Sequence, residues 1–357
     1  MSSSQNGEGK EVLAYTLEFN HHPLRNLTPL ALGGRDPKEL DWSIEVEPFS
    51  NFSFQMMRSN ILSLCTDDQF SNIRDSVVFL KPPPQPLPEE IELLHTSYED
   101  QLKDLNPDQA KCVLKSLLCG GISPEEGILS GRYHMVLGTP GSGKTTTIVA
   151  LVKILASLKQ RVLLVNSTNQ ATDNILLRLK ESGFDDFIRI TNNLSSVEPA
   201  LHGNAKTTSM FESMKAIKET FDSTYVFGTT CLQMNNTLLL CVNGGRFDYC
   251  VMDEASQVSE PLALGPVLIS DRFVMVGDYY QVSPLVKSPL AERKGLGISL
   301  FERLCRAHPQ NVTVLKRQYR MNRDILALSN EIVYNGVMIQ GQCNEESLRV
   351  QYQTNAK

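Results

Sequence analysis

Four short stretches carry residues whose types and spacing suit work on a phosphate and a cation. The first, GTPGSGKTTT, satisfies the pattern G-x-x-x-x-G-K-[ST] through Gly138, Gly143, Lys144 and Thr145. Gly138, Thr139, Gly141, Ser142 and Gly143 are expected to turn their backbone N–H groups inward around phosphate oxygens, with Pro140, which has no N–H, shaping the loop between them. The helix that opens at Lys144 adds its positive N-terminal end, with Thr146 in its first turn. Lys144 is expected to reach the β and γ phosphates, and the Thr145 hydroxyl to ligate Mg²⁺. The second stretch, YCVMDEAS, is an apolar run that delivers Asp253 and Glu254 to its carboxyl end. There Asp253 suits a metal and Glu254 suits the general base that orients and deprotonates an attacking water. The third, FVMVGDYYQVSP, places Gln281 after a further apolar run. An amide there can sense a γ-phosphate without adding charge, although a glutamine in a turn explains that segment equally well. The fourth, VLKRQYRMN, holds Arg320 in a setting suited to a phosphate, with a surface ion pair as the plain alternative.

These groups need a sheet with all carboxyl ends on one edge, and the pattern between them supplies one. Candidate buried strands are YHMVLG, RVLLVN, FIRI, YVFGTT, YCVMD and FVMVGD. Helical periodicity follows several of them, notably Lys144–Leu158 and Ala171–Glu181. Continuous apolar strands joined by crossover helices imply an α/β fold, a parallel sheet covered on both faces. The region from Asn192 to Lys206 has no clear signal. Upstream, WSIEVE alternates in the manner of a half-buried strand and SVVFL is a compact apolar run, so residues 11–80 read as a small β-rich, barrel-like subdomain. Residues 1–10 are polar and small, and read as a disordered tail. KPPPQPLP is an extended spacer. Beyond it Ile91, Leu94, Tyr98, Leu102 and Leu105 suit one amphipathic stalk helix, completing a segment over 81–104.

The chain has 357 residues, 41% hydrophobic and 21% charged, an ordinary globular balance. A net charge of −6 argues against binding nucleic acid by bulk charge and leaves room for a local basic groove. Eight cysteines without a C-x-x-C pair indicate neither a zinc site nor a disulfide framework, and suit a reducing compartment, cytosolic or nuclear. No apolar run approaches the ~18 residues that span a bilayer, and the first residues lack a signal-peptide core, so no membrane role is expected.

GTPGSGKTT, DEAS, GDYYQVSPLV and QYRM, in this order, resemble the superfamily 1 helicases of the 5′→3′ subgroup. That subgroup includes the nonsense-mediated-decay helicase and the eukaryotic replication helicase–nuclease. RVLLVNSTNQATDNILLRL and the stretch from Phe247 to Asp278 look closest to the second of these. The resemblance implies a RecA-like ATPase domain over 105–311 and the start of a second one over 312–357. It implies ATP and Mg²⁺ as cofactors and single-stranded DNA as the track, with single-strand-binding and replication proteins as partners. Nuclear location is implied, mitochondrial location being the alternative. LNPDQ resembles the family's Q motif, so Gln109 would read the adenine edge, while Asn106 and Pro107 also make an ordinary N-cap and first turn. NSTNQATDN places Thr168 and Asn169 near the nucleic-acid backbone, and GTTC adds Thr229 and Thr230. Arg320 would touch the γ-phosphate.

The chain departs from the family at Tyr279 and Tyr280, where His-Gln is frequent, and at Ser283, where proline is. Nothing after Tyr334 resembles the later motor motifs. One cysteine, Cys65, within residues 1–104 cannot build the nuclease's four-cysteine cluster, and EGK at Glu8–Lys10 lacks its aspartate. The expectation is therefore an incomplete motor without nuclease activity, one that binds ATP. An RNA helicase of the same subgroup and a non-catalytic ATP-binding regulatory form are the alternatives.

Overall fold

The structure, a computed structural model, describes residues 3–5, 11–13, 52–83, 85–119 and 133–341. Two compact units are present, Met1–Ser50 and Asn51–Lys357. In the first, β1 (Ser3–Gln5) pairs antiparallel with β2 (Glu11–Leu13), so part of the segment expected to be a disordered tail forms a strand. WSIEVE lies outside the described residues.

The second unit is built on eight strands, all paired in parallel. These are β3 (Tyr133–Gly138), β4 (Val162–Asn166), β5 (Phe187–Ile190), β6 (Ala205–Lys206), β7 (Val226–Thr230), β8 (Phe247–Met252), β9 (Ser270–Gly277) and β10 (Val312–Leu315). Their order is β10-β3-β9-β8-β4-β7-β5-β6. Alternate residues serve two cores. Met135, Leu163, Val165, Cys250, Met252 and Met275 face one layer, while Val136, Leu164, Val251 and Val276 face the other. Both faces are covered, which is why the strands read as unbroken apolar runs. The α/β expectation holds, and the strands and helices expected from Tyr133 onward lie within a few residues of where periodicity placed them.

The region before the proline stretch differs from expectation. Helices α1 (Phe52–Thr66) and α2 (Ser71–Val77) occupy residues assigned to a β-rich subdomain, and SVVFL straddles the end of α2. Met56, Asn60 and Leu64 are buried at a spacing of four, a helical period carried by too few apolar residues to stand out. Val77 is buried, whereas Val78 and Phe79 face outward. The Asn60 amide donates to the Pro261 carbonyl at 3.0 Å, tying α1 to the helix Glu260–Leu268.

The expected stalk helix is divided. α3 (Pro88–Ser97) stops where Tyr98 leaves helical geometry, α4 (Glu99–Leu102) adds a short turn, and α5 (Pro107–Leu117) starts anew. Asn106 caps α5 and Pro107 takes its first position, as the sequence indicated. Two more helices carry the site, α6 (Lys144–Ser157) and α7 (Asn169–Glu181).

The sheet does not end at Asn311. Val314 of β10 lies opposite Leu137 of β3, so residues 312–315 belong to the first sheet and not to a following domain. His134, fully buried, holds this edge: its ring bonds Ser116 Oγ at 2.8 Å and Thr313 Oγ1 at 2.9 Å. Beyond it, β11 (Arg317–Gln318) pairs with β12 (Ile339–Gln340) as a separate two-stranded ribbon.

Candidate nucleotide-binding site

The carboxyl ends of β3, β9 and β8 lie side by side, and the glycine-rich loop, Gln281 and the Asp253–Glu254 pair follow them, while Arg320 comes after β10 and β11. After β3 the chain turns through Gly141, at φ +70°, and Gly143, at φ +78°, before α6 begins. Both angles belong to the left-handed region that favours glycine. A side chain at Gly143 would also run into the Gln109 amide, and one at Gly141 would lie 2.6 Å from Arg320 Cβ. Thr139 and Ser142 are buried, and their hydroxyls donate to the carbonyls of Leu315 (2.9 Å) and Thr139 (2.7 Å). Those side chains brace the loop, and the Ser142 N–H adds a bond to the Thr139 carbonyl at 3.2 Å. Lys144 Nζ donates to the Gly138 carbonyl at 3.1 Å, folded back over the loop.

Across the sheet, β8 ends at Met252 and hands on Asp253 and Glu254. Asp253 is buried, and its pKa is pushed up to about 6, first by that burial and then by the Glu254 carboxylate beside it. The Glu254 backbone N–H, which donates to Asp253 Oδ1 at 2.9 Å, and the nearby Lys144 ammonium act in the opposite sense. Such a carboxylate is short of positive charge, and a cation held between it and Thr145 would supply it. Glu254 sits at φ +50°, ψ +37°, a left-handed conformation uncommon outside glycine. Its Oε2 accepts from the Gln257 amide at 3.2 Å. Strain of this kind is characteristic of functional positions.

Gln281 follows β9. It is exposed and donates to Asp278 Oδ2 at 2.6 Å, so in this state its amide faces a carboxylate. Arg320 lies against the phosphate loop. The Tyr319 backbone N–H donates to the Gly141 carbonyl at 3.0 Å, and the Tyr319 hydroxyl accepts from the Asn106 amide at 2.9 Å. A cavity of about 600 Å³ opens at this junction, walled by Gly141, Gly143, Thr145, Thr146, Tyr319 and Arg320 among others. Tyr319 was not singled out in the sequence, although it sits beside Arg320 and ties the loop to the cap of α5. Arg178 and Glu181, also on the cavity wall, were missed too, because they read only as solvent-facing positions of α7.

Gln109 reaches the phosphate loop from α5. It is buried, its Oε1 accepts from the Asn106 N–H at 3.0 Å, and its Nε2 donates to the Ser142 carbonyl at 2.9 Å. With one hydrogen bond at each end of its amide, Gln109 braces the phosphate loop. Thr229 also turns inward, donating to the Ile190 carbonyl at 3.2 Å without exposure to solvent. Thr230, at the end of β7, is buried as well. Thr168 caps α7, accepting from the Ala171 N–H at 3.2 Å. Asn169 accepts from the guanidinium of Arg189 at 2.8 Å. Of these four, Thr168 alone is exposed, on the loop that follows β4.

Comparison with known proteins matches two models described as AAA domain, one to residues 104–215 and 201–289, the other to 296–357. The DNA replication ATP-dependent helicase/nuclease JHS1 of Arabidopsis thaliana is 39% identical over 298 residues, 82% of this chain and 21% of that protein. DNA replication ATP-dependent helicase/nuclease dna2 of Schizosaccharomyces pombe is 34% identical over 303 residues, 84% of this chain and 20% of that protein. The Homo sapiens protein of that name, DNA2, is 36% identical over 255 residues, 69% of this chain and 24% of that protein. The chain thus spans about a fifth to a quarter of the length of these relatives. Among solved structures, arterivirus nonstructural protein 10 (helicase) with DNA aligns over 58% of this chain and 41% of that one, at 18% identity and a TM-score of 0.37. With a P-loop on β3, an acidic pair after β8 and AAA-domain matches over both, the chain belongs to the AAA-domain family of superfamily 1 helicases.

Proposed function

We propose that this chain is ATPase machinery of an ATP-dependent 5′→3′ DNA helicase acting in replication and repair, which couples Mg·ATP hydrolysis to movement along single-stranded DNA. The observation that carries the reading is the meeting of three elements on one edge of the sheet: the P-loop, the Asp253–Glu254 pair and the Arg320 segment seated on Gly141. The identity to helicase/nucleases whose names state replication and ATP dependence supports it. In this reading the loop N–H groups and Lys144 bind the phosphates, and Thr145 and Asp253 hold Mg²⁺, which neutralises phosphate charge when bound. Glu254 takes a proton from the attacking water, Gln281 senses the γ-phosphate, and Arg320 offers positive charge from the far wall.

Thr168 is the exposed candidate for a strand contact at the carboxyl edge, and the loop it occupies follows the same strand as Asn166. An uncharged hydroxyl there suits a motor that grips and releases a backbone. Among the described residues no helix is long and apolar enough to cross a membrane, and we place the protein in the nucleus with its replication role.

The test uses the purified chain. Binding of an ATP analogue with and without Mg²⁺ is expected to depend on Lys144, falling at least about tenfold in Lys144→Ala, since a charge-assisted phosphate contact is lost. Single-stranded DNA is expected to compete better than RNA of equal length. Nucleotide binding indifferent to Lys144 would overturn the site, and preference for RNA would redirect the function to an RNA helicase of the same family.

A further inference from the structure

Gln281 and Tyr334 compete for one oxygen. Gln281 Nε2 donates to Asp278 Oδ2 at 2.6 Å, and the Tyr334 hydroxyl donates to the same atom at 2.7 Å. Oδ1 of this carboxylate accepts from the Tyr280 N–H at 3.0 Å. Asp278 is almost completely buried, and so is Tyr334. The Tyr334 ring meets Tyr280 edge-on at 5.6 Å between centroids. Tyr334 belongs to the segment that carries Arg320: with Leu326 and Met338 it forms a small separate core between β11 and β12. One carboxylate after β9 therefore holds both the phosphate-sensing amide and the segment that seats Arg320 on the P-loop.

We propose that Tyr334 is a positioning residue for Gln281, coupling the seating of residues 317–341 to recognition of the γ-phosphate. A buried carboxylate needs donors. When Tyr334 supplies one, Asp278 holds Gln281 less tightly, and the amide turns to the phosphate at little cost. When the segment lifts away, Asp278 keeps Gln281 as its remaining side-chain donor and the sensor is locked. Conversely, drawing Gln281 to a γ-phosphate leaves Oδ2 to Tyr334, so a nucleoside triphosphate tightens the seat of the Arg320 segment and a diphosphate does not. Linkage requires these two effects to be equal.

This inference rests on the nucleotide reading, and its test separates the two. Tyr334→Phe keeps the ring against Tyr280 and removes the hydroxyl. In the full chain we expect ADP to bind as in the wild type, while affinity for the ATP analogue AMPPNP falls about 10- to 150-fold, the scale of one hydrogen bond to a charged group. The double variant with Gln281→Ala is expected to match Gln281→Ala alone, because Tyr334 acts through that amide. Equal losses for ADP and AMPPNP, no loss, or additive losses in the double variant would overturn the coupling. If the wild type binds neither nucleotide, the functional reading itself fails. A second measurement does not depend on Tyr334→Phe folding. Gln281→Ala, at an exposed position, leaves Oδ2 to Tyr334, so hydrogen exchange across 330–340 is expected to slow; unchanged exchange counts against the shared carboxylate.

Discussion

At Asp253 binding and stability make opposite demands. Burial and Glu254 raise its pKa from 3.8 to about 6, so the folded protein favours the neutral acid. The stabilisation from that neutral form is fully present below the unfolded value and is lost as pH rises through about 6. Asp253→Asn, neutral at every pH, is therefore expected to melt several degrees above the wild type at pH 8, with the gap closing towards pH 4. A stability gain on the order of 2 kcal/mol suits a shift of this kind, and calorimetry at the two pH values reads it. The same variant should lose Mg²⁺-dependent nucleotide binding. A wild type as stable as the variant at pH 8 would mean the carboxylate is better solvated than its position implies. At this scale the sequence was informative about placement: Lys144 and Thr145 open α6 after the glycine-rich loop, and Asp253 and Glu254 follow β8. It was silent on the bonds that Tyr319 and Gln109 make to the phosphate loop, because both depend on what lies across a gap in the chain.

At the scale of elements, the N-terminus of α7 hangs on a buried ion pair. Arg189 of β5 is fully buried, its Nε donating to Asp173 Oδ1 at 2.7 Å and its Nη2 to Asn169 Oδ1 at 2.8 Å. Asp173 Oδ2 accepts from the Glu198 N–H at 2.9 Å, which anchors the 194–199 turn to the same helix. Removing one partner strands the other charge in the interior. Asp173→Ala is expected to lose about 3–5 kcal/mol in a urea unfolding titration. Arg189→Met combined with Asp173→Leu should lose distinctly less than Asp173→Ala, since no unpaired charge remains. A loss below about 1 kcal/mol for Asp173→Ala would show that water reaches the guanidinium. In the sequence, FIRI reads as a strand with one polar position, and nothing local says that its arginine faces the interior. The Met56, Asn60 and Leu64 stripe of α1 was missed for a related reason: its burial depends on the helix Glu260–Leu268, some two hundred residues away.

Across the whole second unit, His134 acts as a pin between α5, β3 and β10, and it makes the sheet edge sensitive to acid. Burial lowers its pKa from 6.5 to about 3, with the Lys115 ammonium adding to the effect. A depressed folded-state value contributes stability that is present above the unfolded pKa and is lost as pH falls from about 6.5 towards 3. Stability is expected to decline at roughly 1.4 kcal/mol per pH unit over that window from this group alone. His134→Asn should flatten the decline, and denaturant midpoints taken from pH 7 to pH 4 provide the check. An equal slope in the variant would assign the acid sensitivity elsewhere.

The sequence by itself determined the parallel α/β core and the position of the glycine-rich loop and the acidic pair at its carboxyl edge. Both rest on local signals, unbroken apolar strands and a loop whose glycines meet its left-handed backbone angles. Tertiary structure alone decided that β10 completes the first sheet, that Gln109 and Thr229 face inward, and that Arg320 rests on Gly141. It also decided that Gln281 shares a carboxylate with Tyr334. Each of these depends on which group meets a buried polar atom from a distant part of the chain, and hydrogen-bond satisfaction in the interior is a property of the packed molecule that no local pattern encodes.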